Sequence, residues 1–456
     1  MTVALSSART GANLQTDPAI FDRIIENGRK ARPEWRGMPV EARARILTRL
    51  AELISVEKER FAQLLIREVG KPFGEARAEV DASVRMLEYF AGWPLWGRTA
   101  QVGAVSSLPE GGVFLKPQGL VGLITPWNYP LSSPAQKIAG ALVTGNVVIW
   151  RPSPLCQETS ALVTDLAVRA GLPDHVLTPL YEQGSDLARR LVADPRVQAV
   201  SFTGSTAVGQ QIRQTVLQRQ GAIQCEMGGK NAAVVAADAD LRHAARRIAY
   251  GAFGFAGQKC TAVSRVYVER AVADAFLGLL SEAVSALGFG DPQSERTVAG
   301  PVISSDKRRE LDSVREAALA RGIPQLRLEL TTVGDSTGGA FFAPTVFHDV
   351  PRDDDLMRKE FFGPILAVTQ VSDLTDAIAC VNDSDYGLAA CIFTTDRAKA
   401  RRFAAEAEVG TVKINDSTPG LSVGLPAGGW KGSGAGVGEL GDESIRFFTR
   451  STAVIG

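Results

Sequence analysis

Residues 197–230 read VQAVSFTGSTAVGQQIRQTVLQRQGAIQCEMGGK, and the fold turns on how this stretch is parsed. Val197–Phe202 is a short apolar run, the pattern of a strand buried on both faces. Gly204 lets the backbone turn sharply, Ser205 stands where a helix N-cap belongs, and Gly209 allows a helix to pack closely on the strand. A helix over Ser205–Val216 and a second buried strand over Ala222–Glu226 follow. Such a helix start presents free N–H groups that favour a pyrophosphate. The spacing is neither G-x-G-x-x-G nor Walker A, since no Lys follows. Taken alone, an ordinary capped strand–helix turn is the stronger reading over a dinucleotide site.

The same alternation continues on both sides. Val121–Ile124, Val147–Trp150 and Val176–Leu180 read as buried strands, with helices at Ser133–Leu142, Ser160–Ala170 and Ser185–Val192 between them. That is the signature of a parallel sheet covered on both faces. A second α/β series starts near Ala232, with strands at Val263–Val268, Ile365–Val371, Ala389–Phe393 and Gly410–Ile414. Ahead of both, apolar spacing predicts one long amphipathic helix over Glu41–Val69, ended by Gly70 and Pro72, and a second over Phe73–Gly92. Val102–Leu115, with Gly111 and Gly112 between β-prone segments, reads as a hairpin. Arg446–Ile455 is β-prone and stands apart from either sheet, and residues 1–18 are polar and aperiodic.

At 456 residues the chain is long enough for about three domains without disulfide or metal support. Fifty basic residues balance fifty acidic ones, so the positive excess that nucleic acid demands is missing. Five cysteines are never closer than 11 positions, which excludes a zinc ribbon and a dithiol and suits a reducing compartment. Only three histidines are present, and no metal centre is expected. The N-terminus lacks the apolar core of a signal peptide, and the longest uncharged stretch, Pro117–Gln136, carries four prolines, so neither export nor a membrane span is expected. The expectation is a cytoplasmic protein.

Chemistry could sit at three places. Cys260 follows the Gly- and Phe-rich segment Gly251–Phe255, and Lys259 beside it is expected to lower the thiol pKa; a buried structural Cys is the alternative. Glu226 ends a strand before Met227-Gly228-Gly229, where a carboxylate faces a crevice and can act as a general base, or is simply a solvated strand end. Asn128 lies in the stiff turn Pro126-Trp127-Asn128-Tyr129-Pro130, which would hold its amide as an oxyanion donor; Asn also suits turns in general.

Together, in this order, these motifs resemble the NAD(P)-dependent aldehyde dehydrogenase superfamily, from about Ile20 to the end. Pro126–Pro130, Phe202–Gly209, Glu226–Lys230 and Gly257–Cys260 carry the resemblance. Glu360-Phe361-Phe362-Gly363-Pro364, Asn382–Leu388 and Gly428–Gly434 continue it, and the 34-residue step from Glu226 to Cys260 matches the family interval. The resemblance implies an aldehyde dehydrogenase-like α/β fold of two doubly wound domains plus a small β flap. The cofactor-binding domain would span 1–98 and 118–228, the catalytic domain 229–423, and the oligomerisation flap 99–117 and 435–456. The flap would add to a neighbouring subunit's sheet in a homodimer or homotetramer. Cys260 would attack the aldehyde, Asn128 and the Cys260 N–H would hold the oxyanion, and Glu226 would activate the hydrolytic water. Trp127, Thr203, Gly204, Ser205, Gly209, Glu360 and Phe362 would contact the cofactor. Lys137 matches a lysine near the Glu226 proton path, with a structural role as an equal alternative.

Departures from the family pattern bear on specificity. Its adenosine-ribose motif Lys-Pro-x-Glu is here Arg151-Pro152-Ser153-Pro154, so the ribose carboxylate is lost and Arg151 could meet a 2′-phosphate. The expected cofactor is NAD or NADP, with NAD slightly ahead. Lys359 replaces an acidic neighbour of Glu360, and Ala427 a common Phe. Ser132, Ser133 and Gln136 stand at positions often bulky in the family, hinting at a polar substrate funnel for a semialdehyde or another oxygenated aldehyde. Two alternatives are weighed: a CoA-acylating dehydrogenase, disfavoured by Glu226, and a cysteine hydrolase or acyltransferase, for which only His243 is even moderately near Cys260 in sequence.

Overall fold

In a computed structural model of the chain, residues 14–96, 112–335 and 340–455 are described. Four helices come first: α1 (Phe21–Gly37), α2 (Val40–Val56), α3 (Lys58–Val69) and α4 (Phe73–Trp96). The single helix expected over Glu41–Val69 is two, because the chain turns at Glu57, where ψ is 15°. Ile54 and Phe61 are seven residues apart and stay on one face with or without that turn, so apolar spacing does not register it. Gly70 ends α3 in the left-handed region at φ +66°, against Pro301.

The strand β1 (Gly112–Pro117) precedes the first sheet, which is wound from β2 (Leu120–Ile124), α5 (Ser132–Val143), β3 (Val147–Arg151), α6 (Gln157–Arg169), β4 (Leu177–Pro179), α7 (Asp186–Ala193), β5 (Ala199–Thr203), α8 (Thr206–Gln218) and β6 (Ala222–Glu226). Its six strands run in the order Gly434–Gly436, β6, β5, β2, β3, β4. All neighbours are parallel except Gly434–Gly436, which pairs antiparallel with β6. Every residue of β2 is buried, which is why the run shows no alternation.

Five residues beyond the end of β6 the second sheet begins with β7 (Asn231–Val235), followed by α9 (Leu241–Phe253) and β8 (Val263–Glu269). Its six parallel strands are ordered Thr345–Phe347, Ile365–Val371, β8, β7, Ala389–Phe393, Thr411–Ile414. Separate apolar cores line the two sheets.

β1 pairs antiparallel with Thr449–Val454 in a two-stranded ribbon. The first arm of the hairpin expected over Val102–Leu115 lies outside the described residues. Residues 446–448, expected to be β-prone, instead finish a helix, Gly441–Phe448. Phe447 and Phe448 favour strands in isolation, but burying both against the first core decides for the helix. The expected flap segment 435–456 is thus divided: Gly434–Gly436 extends the first sheet, the helix packs on its core, and Thr449–Val454 pairs with β1. Among the described residues, no helix is long and apolar enough to cross a membrane.

Candidate active site

In parallel sheets, ligands gather at the carboxyl ends of the strands. Four of the sequence candidates sit there. β2 runs into the turn that carries Asn128, β5 into Gly204 and Ser205, and β6 ends on Glu226, paired with Thr203 of β5. Cys260 comes from the other half, between α9 and β8.

The thiol loop is conformationally strained. Phe255 and Ala256 hold φ of +55° and +52°, and Gly257 follows at +67°. A Cβ on Gly257 would come within 2.5 Å of the Gly363 carbonyl, so Gly alone fits. Left-handed non-Gly residues cost about 1–3 kcal/mol each and persist only where surroundings hold them. Gln258 does so here: its Nε2 donates to the carbonyls of Phe255 and Pro301, both at 3.2 Å, and its Oε1 accepts from Ile303 N–H at 2.7 Å. The Asn128 Nδ2 donates to the Gln258 main-chain carbonyl at 3.0 Å, tying the amide to a point two residues before Cys260. One Nδ2 hydrogen is left for a ligand. Of the five free cysteines, Cys260 is the one that is not fully buried.

Burial and the carboxylates of Glu360, Glu226 and Glu439 push the Cys260 thiol up to about 12. The depression expected from Lys259 does not occur, because that ammonium turns to Glu75 and bonds it at 2.5 Å. His243 is not placed as a base for the thiol either: its Nε2 meets the Asn415 carbonyl at 2.8 Å and its ring packs on Phe393. Burial also raises the Glu226 carboxyl well above its usual range, reinforced by Glu439 and opposed by Lys137 and the Gly429 N–H.

Glu439 is the site residue that sequence reasoning missed. Lys137 is buried and donates to Glu439 and, at 2.7 Å, to Ser201 Oγ, which itself donates to Gln224 Oε1 at 2.8 Å. Gln136 Nε2 also donates to Glu439. A lone acid in Gly436–Gly441, some three hundred positions from Lys137, offers no local pattern; its isolation among glycines is the only signal. The polar residues at 132 and 136 therefore do not line an open funnel. The Ser132 hydroxyl turns to Glu79 and Gln136 to Glu439, while the Ser133 hydroxyl is buried without a partner among the described residues.

The cofactor candidates are distributed around the same edge. Ser205 is the N-cap of α8, and its side chain takes no N–H of that helix, leaving the helix start free to meet an anion. A Cβ on Gly209 would lie 2.4 Å from Met227 Sδ, so α8 packs tightly on the segment after Glu226. Glu360 Oε1 accepts from Gly229 N–H at 3.0 Å, three residues past Glu226, and Oε2 would touch any Cβ on Gly228. Trp127 meets Phe362 and Phe255 edge-on at 5.7 and 6.2 Å. Arg151 is engaged internally: Nε pairs with Glu182 at 3.1 Å and Nη2 donates to the Gly184 carbonyl at 2.7 Å. Ser153 Oγ accepts from Leu155 N–H at 3.3 Å. Among the described residues, no group of His, Cys, Asp or Glu is arranged to hold a metal.

A half-buried thiol with an amide donor and a carboxylate of raised pKa nearby is suited to nucleophilic attack on a carbonyl followed by hydrolysis. Residues 9–454 match the sequence model of the aldehyde dehydrogenase family. Alpha-ketoglutarate semialdehyde dehydrogenase of Haloferax volcanii is 35% identical over 92% of this chain and 87% of that protein. Glyceraldehyde-3-phosphate dehydrogenase from Methanocaldococcus jannaschii, solved with NADP, superimposes with a TM-score of 0.88 at 30% identity, over 97% of this chain and 95% of the other. A double mutant of betaine aldehyde dehydrogenase from Staphylococcus aureus, solved with NAD+, gives 0.90 at 31% identity, over 97% and 90%. The chain belongs to the aldehyde dehydrogenase family, an NAD(P)-dependent class of enzymes.

Proposed function

We propose that the protein oxidises a polar aldehyde, in the first place a semialdehyde, to the free acid through a covalent bond to Cys260. The observation that carries this reading is the hydrogen bond from Asn128 Nδ2 to the Gln258 carbonyl, which sets an amide donor beside the one cysteine that is not fully buried. Cys260 passes its proton to solvent water as its sulfur adds to the aldehyde carbon; the Asn128 amide and the Cys260 N–H hold the resulting oxyanion. Bound NAD(P) supplies the acceptor for the hydride lost in oxidation. Glu226, at the end of β6, takes a proton from water as it attacks the thioester, and Cys260 leaves as the thiolate. The buried Lys137–Glu439 pair carries the charge balance as Glu226 gains and loses that proton.

The residues present fit a dinucleotide. Ser205 leaves the start of α8 free, and Glu360 has one oxygen not used by Gly229. No carboxylate stands at 153 or 154 to select the adenosine ribose, and Arg151 is already neutralised by Glu182. An arginine so held is poorly placed to select a 2′-phosphate, which supports NAD ahead of NADP. The semialdehyde substrate rests on the Haloferax relative. Residues 1–98 with 118–228 and 229–423 stand as our cofactor-binding and catalytic domains, with Gly434–Phe448 joined to the first of them and Thr449–Val454 left to the flap with β1; a homodimer or homotetramer is likewise our reading. Thr411–Ile414 is an edge strand and the β1 ribbon is two-stranded, so each can complete the other in a neighbouring copy. Five unpaired cysteines suit the cytoplasm.

A panel of aliphatic, aromatic and carboxylated aldehydes, assayed separately with NAD and NADP, tests this reading. We expect acid release without CoA, highest kcat/KM for a semialdehyde, and complete loss in Cys260→Ala. Turnover that requires CoA assigns the acylating reaction instead.

A further inference from the structure

Two carboxylates one turn apart on α4, Glu75 and Glu79, take no part in the chemistry above, yet each is paired with a buried lysine. Glu79 is 3% exposed, and its Oε1 accepts from Leu131 N–H and Ser132 N–H, both at 3.0 Å, and from the Ser132 hydroxyl at 3.3 Å. Its other oxygen pairs with Lys71, which is wholly buried. Lys71 Nζ in turn donates to the main-chain carbonyl of Asn128 at 2.7 Å and lies 4.3 Å from the Tyr129 ring centroid. Glu79 and Lys71 thus grip both sides of the turn that carries the Asn128 amide. Glu75 grips the thiol loop: its Oε1 accepts from Lys259 Nζ at 2.5 Å and from Tyr250 OH at 3.1 Å. Residues i and i+4 on a helix are separated by about 6 Å along its axis.

Buried ion pairs contribute little net stability, because desolvation offsets their attraction. Two pairs, one wholly buried and one partly so, with their carboxylates on one helix face and each ending beside a group of the active site, call for another explanation. We propose that Lys71, Glu79, Glu75 and Lys259 are positioning residues, and that α4 serves as a ruler holding the Asn128 amide and the Cys260 thiol in register. The proposal rests on the reading of Asn128 and Cys260 given above. An oxyanion donor is worth about 10²–10³ in kcat, and a displacement of about 1 Å can remove much of that.

The test is a double-mutant cycle. Lys71→Met/Glu79→Gln removes both charges together, so no lone charge is left buried, and the amide oxygen introduced at position 79 can still accept the Leu131 N–H. We expect kcat to fall about 30- to 100-fold with KM and NAD affinity within about threefold. Alkylation of Cys260 by iodoacetamide, which needs the thiol alone, should stay within about threefold. In an Asn128→Ala background the same pair should cost less than about threefold, since it acts only through Asn128. Unchanged kcat, or losses that multiply in that background, overturn the proposal. If Asn128→Ala itself leaves kcat intact, the reading of the site falls, and the ruler with it. Should the double variant fail to fold, Glu75→Gln/Lys259→Met serves at the other end: reduced kcat with unchanged alkylation supports the ruler, and parallel loss of both, or of neither, contradicts it.

Discussion

Replacing Glu226 by Gln separates oxidation from hydrolysis. Gln has the same shape and keeps an oxygen to accept the Gly429 N–H, while the charge next to Glu439 disappears. The carboxyl's folded pKa lies above its unfolded value, so once pH exceeds the unfolded value near 4.3 the unfolded chain is the better anion and the group works against folding. Removing it should leave stability equal or higher at neutral pH, and any loss of activity then reports chemistry. A general base contributes about 10²–10⁴ in rate, or about 2.7–5.4 kcal/mol at 1.36 kcal/mol per decade. Rapid mixing of Glu226→Gln with aldehyde and NAD should give a burst of about one NADH per active subunit, followed by steady turnover slowed by that factor. A small added thiol, needing no base at Glu226, should restore turnover. A slow steady state without a burst would place Glu226 before hydride loss and refute the assignment; an unchanged steady state would remove Glu226 from the mechanism.

Four further outcomes follow from the geometry. The Cys260 thiol, pushed up to about 12, is protonated near neutrality in the free enzyme, so its alkylation rate should rise about tenfold per pH unit from pH 7 to 10. Glu439→Gln removes one of the carboxylates responsible and should speed alkylation at pH 8; a flat pH profile contradicts both statements. Arg151→Ala should change the NAD dissociation constant by less than about threefold, because its guanidinium serves Glu182 and Gly184; a loss of tenfold or more confined to NADP would assign it the 2′-phosphate instead. Gly257→Ala should destabilise by at least about 2 kcal/mol in urea unfolding, from its positive φ and the contact with the Gly363 carbonyl, and near-neutral behaviour would show that the loop is not held.

Much of the fold was legible because parallel strands buried on both faces are written as bare apolar runs. Ala222–Glu226, Ile365–Val371 and Ala389–Phe393 occupy the residues expected of them. What escaped was decided by tertiary contacts. The turn at Glu57 leaves the apolar spacing of α2 and α3 in phase, and the helix ending at Phe448 overrides two β-prone aromatics through burial. In the site, Asn128, Glu226 and Cys260 stand at strand ends or beside glycines, where local sequence carries a mark. Glycines also precede Lys71, Glu75 and Glu439, but with no strand end or motif beside them to mark chemistry: each of these charges, like Glu79, takes its meaning from the partner that the fold brings to it. Lys259 shows the converse, since adjacency to Cys260 in sequence suggested a thiol partner and packing sent it to Glu75.

Intact-mass and peptide analysis of Glu226→Gln, quenched in acid after mixing with aldehyde and NAD, tests the covalent route most directly. The account predicts one adduct per subunit on the Cys260 peptide, with a mass gain equal to the aldehyde less two hydrogens, as an acyl thioester requires. No adduct, an adduct on another cysteine, or a gain equal to the whole aldehyde would contradict it.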